Sequence, residues 1–129
     1  SKNINSGVLE GWVRKTIILA VSQINGCDYC LSMHTSIAIK QGLLTPEQCI
    51  ASRRLEGWND RSKAILNFAS KISRCQGTLV DEDVVLLREQ GFSDPEIVEM
   101  VGVVVQITFA NYVSDLVEPD LDFDPAPAI

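Results

Sequence analysis

Cys27 and Cys30 lie three residues apart in "NGCDYCLSMHTS" (residues 25–36), and the one histidine of the chain, His34, follows four residues after Cys30. Two thiols and an imidazole could be a redox pair with its proton acceptor, part of a metal site, or core cysteines beside a stray imidazole. On a helix turning about 100° per residue, with Cys27 at zero, Cys30 falls at about 300° and His34 at about 340°. All three then project within a sector of about 60° on one face. Leu31 and Ala38 fall close by, so the thiols border an apolar seam. Cys27 is expected in the first turn, where unpaired amides and the macrodipole favour a thiolate. His34, one turn beyond Cys30, is placed to accept its proton. One thiolate can attack, and the second can close a disulfide with little motion, because i and i+3 are neighbours on a helix.

The competing readings make different demands. Zinc takes four ligands, or three and a water. Only Cys49 or Cys75 could complete that set, and neither has the usual paired spacing. A c-type haem needs His directly after the second Cys, where this chain has Leu31. A thioredoxin-like motif follows a strand, and no strand signal precedes Cys27. Two buried structural thiols remain an alternative, since cysteine is often buried, but that leaves the shared face of His34 unexplained. Cys49 and Cys75 read as packing residues, as do Trp12 and Trp58. Arg53-Arg54 reads as a solvated helix end favoured by the dipole.

The elements that must position these groups are helices throughout. Leu9, Val13, Ile17, Val21 and Ile24 form one apolar stripe over residues 8–24, and Asn25-Gly26 breaks it. A second helix is expected from Cys27 to Gln41, stopped by Gly42. "TPEQ" (45–48) is a capping box with proline at the first helical position, opening a short helix to about Leu55. Asp60 is expected to cap a helix reaching about Cys75, with Gln76-Gly77 ending it. Asp81 opens another that Gly91 closes, and "SDPE" (93–96) is a second capping box before the longest helix, to about Val117. The expected fold is all-α, one helical domain of about six helices over residues 1–117. An extended, acidic, proline-rich tail follows at 118–129.

Composition narrows the partners. With 46% apolar and 22% charged residues the chain can build a core. A net charge of −6 argues against nucleic acid and against anionic lipid surfaces. The most apolar run, 97–113, falls short of the roughly 20 residues a membrane span needs. Four cysteines without a signal-peptide pattern lead to an expected cytoplasmic location with reduced thiols. The last helix is apolar in every direction, through Val101, Val103, Val104, Val105, Ile107 and Phe109. Such a helix is expected to be buried all round, which a small domain achieves most readily at a subunit interface.

"NGCDYCLSMHT", preceded by "RKTIILAVSQI" (14–24), resembles the alkylhydroperoxidase D / carboxymuconolactone decarboxylase family in its peroxidase-related branch. "GLLTPEQ" (42–48), "FSDPEIVEMVGVVV" (92–105) and "TFANY" (108–112) continue the likeness. The resemblance implies a helical thiol peroxidase, homo-oligomeric as a trimer or hexamer, with no metal or organic cofactor. It implies Cys30 as the peroxidatic thiol, Cys27 as the resolving thiol and electron exit, and His34 in a proton relay. A hydroperoxide would be the substrate and a dithiol, protein or lipoyl-like, the reductant. The decarboxylase branch lacks the CxxC pair, which points away from decarboxylation.

Three places depart from the family. The relay glutamate expected twelve residues before the first cysteine is Lys15, with Glu10 further up the helix as the only stand-in. Tyr29 replaces a histidine just before the second cysteine, and Val113-Ser114-Asp115 occupies a segment that often carries another. A lysine favours thiolate by its charge but donates only, having no acceptor while protonated. Lys15 and His34 lie about ten residues before and nine after the helix break, nearly level if the helices fold back as a pair. The sequence therefore leads to two expectations: a weak dithiol peroxidase or disulfide reductase, or a non-catalytic oligomeric binding protein whose relay is lost.

Overall fold

The structure is a computed structural model that describes residues 8–74, 81–117, 120 and 122–129. Among the described residues six helices follow one another: α1 (Gly11–Asn25), α2 (Asp28–Lys40), α3 (Pro46–Arg53), α4 (Asp60–Arg74), α5 (Asp81–Glu89) and α6 (Asp94–Val117). Among the described residues there is no strand. Cys75 and Gln76-Gly77 lie outside the described residues.

The helix ends follow local chemistry. Gly26, at φ 71°, closes α1, and the N–H of Cys27 bonds the carbonyl of Ser22 five residues back at 3.0 Å. A left-handed residue there turns the chain without the clash a Cβ would meet. The same five-residue return bond ends α2 beyond Gly42 and α5 beyond Gly91. It also ends α3, with Leu55 in the left-handed position at φ 61°. Both capping boxes form: Thr45 with Gln48 opens α3, and Ser93 with Glu96 opens α6. Asp60 is not the cap of α4. Asn59 takes that place, its Oδ1 accepting from the Ser62 N–H at 2.8 Å, and Asp60 is the first helical residue.

α1 is the central element and packs against α2, α3, α4 and α6. Its stripe of Leu9, Val13, Ile17 and Val21 enters the main core with Ile65 and Phe68 of α4 and Met100, Val104 and Ile107 of α6. On its other side Leu19 meets Leu31, Ala38, Leu44 and Cys49 in a second cluster, which confirms Cys49 as a packing residue. Trp12 and Trp58 also pack, their ring centroids 6.3 Å apart.

α6 differs from expectation. It is not covered all round: Ile97, Met100, Val103, Val104 and Ile107 are buried, whereas Phe109 is 71% and Leu116 83% exposed. At 24 residues and mean hydropathy 1.5 it also has the length and composition of a membrane-crossing helix, which corrects the length argument drawn from residues 97–113. Its inner face is nevertheless packed on α1 and α4 as a core helix. That packing carries one buried polar lock. Asn111 donates to Ser22 Oγ at 3.1 Å and accepts from Asn25 Nδ2 at 3.0 Å, tying α6 to the end of α1. Asn111→Ala removes partners from buried groups and is expected to lower stability by about 1–3 kcal/mol in urea unfolding.

Candidate active site

The Cys27 side chain opens α2. It is the N-cap rather than a residue of the first turn, and its Sγ accepts from the backbone N–H of Cys30 at 3.3 Å. The helix therefore holds the two sulfurs side by side, both as free thiols, 1% and 2% exposed. Burial pushes the Cys27 thiol up to about 11, helped by the neighbouring Cys30 thiol and opposed by the Cys30 N–H and the Ser114 hydroxyl. Burial therefore outweighs the Cys30 N–H, the group at the helix start that does favour a Cys27 thiolate.

Lys15 arrives where the level-helix argument places it. Its Nζ lies 2.8 Å from His34 Nδ1. Burial lowers the pKa of Lys15, and the Arg14 charge lowers it further. His34 is lowered to about 4, by burial first and then by the Lys15 charge. His34 is therefore neutral near pH 7. With Nδ1 accepting from Lys15, its proton is on Nε2, since a neutral imidazole has one donor and one acceptor nitrogen. The recorded partner of His34 is Lys15 and not Cys30.

Ser114, from the last turns of α6, has its Oγ 3.7 Å from Cys30 Sγ. It was not among the expected site residues, although it lies in the segment Val113-Ser114-Asp115, where the resemblance places a further histidine, three residues after Asn111. Tyr29, which stands where the resemblance has a histidine, meets Phe123 of the tail edge-on, with ring centroids 6.1 Å apart. The tail residues 122–129 have no regular secondary structure and lie along α2, where the Ala126 N–H donates to Ser32 Oγ at 2.9 Å. Arg53 is no solvated helix end. It is 7% exposed and donates to Gln23 Oε1 at 2.8 Å and to the Pro127 carbonyl at 2.6 Å.

Glu10 does not stand in for the relay carboxylate; it precedes α1 and pairs with Arg61 at 3.4 Å. Glu99 instead pairs with Arg14 and accepts the Val8 N–H at 2.6 Å. Between these helices a cavity of about 240 Å³ opens beside His34, with Ile18, Val103 and Ile107 as apolar walls and Arg14 and Gln106 as polar ones. Among the described residues no three His, Cys, Asp or Glu side chains gather as a metal would require.

Residues 3–59 match the model of the carboxymuconolactone decarboxylase family. The chain is also 31% identical over 107 residues to YdfG, an uncharacterized protein of Bacillus subtilis strain 168, covering 78% of this chain and 70% of that one. The chain belongs to the alkylhydroperoxidase D / carboxymuconolactone decarboxylase family. An uncharacterized peroxidase-related protein from Silicibacter sp. TM1040 superposes with a TM-score of 0.77 at 26% identity, over 95% of this chain. A candidate antioxidant-defence AhpD protein of unknown function from Agrobacterium tumefaciens gives 0.80 at 24% identity, over 91% of this chain and 82% of its own. The alkylhydroperoxidase AhpD core of an uncharacterized peroxidase-related protein from Ralstonia eutropha JMP134 gives 0.76 at 24%, over 92% of this chain. The likenesses at 24% establish the fold. The chain spans 63% and 62% of the length of the Silicibacter and Ralstonia proteins.

Family membership makes the Lys15–His34 pair the main departure at this site, and it can be read directly, because the chain has one histidine. The His34 ring resonance in an NMR titration is expected to change with a midpoint near 4, and in Lys15→Met to move upward without reaching 6.5, since burial is the larger cause. A lowered folded pKa means the unfolded chain binds the proton first, so this contribution is complete above pH 6.5 and is lost as pH falls towards 4.

Proposed function

We propose that this chain is a dithiol peroxidase that reduces hydroperoxides through Cys30 and Cys27 and is reset by an external dithiol, protein or lipoyl-like. The observation that carries the reading is the sulfur pair held at the start of α2, with Cys30 N–H on Cys27 Sγ at 3.3 Å. The Cys30 thiolate attacks the terminal peroxide oxygen. The S–O bond forms, the O–O bond breaks, and sulfur gives up two electrons. The departing alkoxide takes a proton from His34 Nε2, while Nδ1 takes one from Lys15 across 2.8 Å. The neutral imidazole thus supplies the acceptor that an ammonium lacks. Cys27 thiolate then attacks the sulfenic sulfur, and water leaves as the disulfide closes. The cavity beside His34 is the approach for the peroxide.

A second reading has its own support. Thiols 1% and 2% exposed, one of them pushed up to about 11, also suit an inert pair in a binding protein. Free-thiol counting after a stoichiometric peroxide pulse separates the two. Loss of two thiols per chain is expected, with Cys30→Ser abolishing it and Cys27→Ser leaving a sulfenic acid that can be trapped on Cys30. No loss in the parent would leave the binding protein. Lys15→Glu, which restores the family's relay residue beside His34, is expected to raise steady-state turnover; equal or lower turnover counts against Lys15 as the relay member.

The exposed face of α6 supports a homo-oligomer, a trimer or hexamer. Val98, Val101, Val105, Phe109, Tyr112 and Leu116 repeat at helical spacing on that face. A contiguous apolar patch of this kind marks an interaction surface. Light scattering at micromolar concentration is expected to give a multiple of 14.2 kDa, reduced by Phe109→Asp; a monomeric parent would exclude the assembly.

A further inference from the structure

We propose that Ser114 is a catalytic residue of the dithiol centre, its hydroxyl accepting the Cys30 S–H and then donating to the sulfur once it is ionised. The inference rests on the peroxidase reading and adds to it a residue that the CxxC spacing could not supply.

A hydroxyl inside a helix ordinarily bonds back to its own chain. Thr16 donates to the Trp12 carbonyl at 2.7 Å, Ser52 to Gln48 at 2.8 Å and Thr108 to Val104 at 2.7 Å, each four residues back. Ser114 is directed across the interface instead, to Cys30 Sγ at 3.7 Å, within reach of a sulfur hydrogen bond. Its place is set by Asn111, three residues earlier on the same helix face and locked to Ser22 and Asn25.

The contact works in both protonation states because a hydroxyl is donor and acceptor. With Cys30 as a thiol, S–H donates to Oγ. Once the proton has left, the hydroxyl rotates and O–H donates to the thiolate, a charge-assisted bond roughly twice as strong as a neutral one. The stronger bond to the ionised form raises the thiolate fraction in a site that otherwise excludes water. In the resolving step the Cys27 thiolate attacks the Cys30 sulfenic sulfur. The S–S bond forms, the S–O bond breaks, and hydroxide departs as water with a proton from the medium. His34 Nδ1 is engaged by Lys15, and Ser114 is the hydroxyl in contact with the Cys30 sulfur.

The test is the pH profile of iodoacetamide alkylation at Cys30, read by mass spectrometry in a Cys27→Ser background, where serine keeps the N-cap of α2. Ser114→Ala is expected to move the midpoint up by about one pH unit, with alkylation at pH 7 falling about tenfold. Threonine and valine fill nearly the same space, so they separate the hydroxyl from packing. Ser114→Thr should follow the parent and Ser114→Val should follow Ser114→Ala. Superposed profiles for the parent, Thr and Val variants overturn the proposal. A parent that alkylates normally yet consumes no peroxide defeats the peroxidase reading and with it the catalytic role, even where the profiles differ.

Discussion

The site depends on one junction, Gly26-Cys27. Gly26 takes the left-handed conformation, at φ 71°, so that α1 can stop and the chain can reverse. A residue with a Cβ would be disfavoured there by roughly 1–2 kcal/mol. Cys27 then makes two caps at once: its N–H closes α1 on the Ser22 carbonyl, and its sulfur opens α2 on the Cys30 N–H. Because one residue joins both helices, the sulfur position and the angle of the helix pair are set together. That pairing brings Lys15 of α1 against His34 of α2.

Burial and reactivity oppose each other at this junction. A helix start is worth about 0.3–1 kcal/mol to a negative charge. Burial nevertheless leaves the Cys27 thiol pushed up to about 11, against the thiolate. Desolvation therefore wins at Cys27, and any chemistry must draw on groups that favour charge locally. The Ser114 hydroxyl beside Cys30 arrives from α6, and Lys15 beside His34 from α1. Burial lowers both pKa values, so the proton between Nζ and Nδ1 is less tightly held by lysine than it would be in water.

α6 serves two surfaces with one sequence. Its inner face anchors the core through Met100, Val104 and Ile107, and each such side chain is worth about 1.5–3 kcal/mol when fully buried. The outer face leaves side chains of similar size in solvent. A helix apolar in all directions reads the same whether its second face meets its own chain or another. α1 illustrates the contrast, since it is buried on both sides within this chain, between the core with α4 and α6 and the cluster with α2 and α3.

Helix identity and most helix ends were legible in the sequence. Thr45 with Gln48, Ser93 with Glu96, and glycines 26, 42 and 91 act within five residues of themselves, so local chemistry determines them. The cap of α4 was misread by one residue because Asn59 and Asp60 both qualify as N-caps. The CxxC spacing likewise determined that two sulfurs share one helical face. The tertiary structure decided the rest. Ser114 and Cys30 are 84 residues apart, Asn111 and Ser22 are 89 apart, and the burial of Arg53 requires a carbonyl of the tail 74 residues on. No pattern within a helix encodes such pairs, because they depend on how one helix face is rotated against another. Lys15 lies between these cases: its level opposite His34 follows from counting residues across a short turn, but its contact with the imidazole, and the lowering of both pKa values, come from the burial that packing creates.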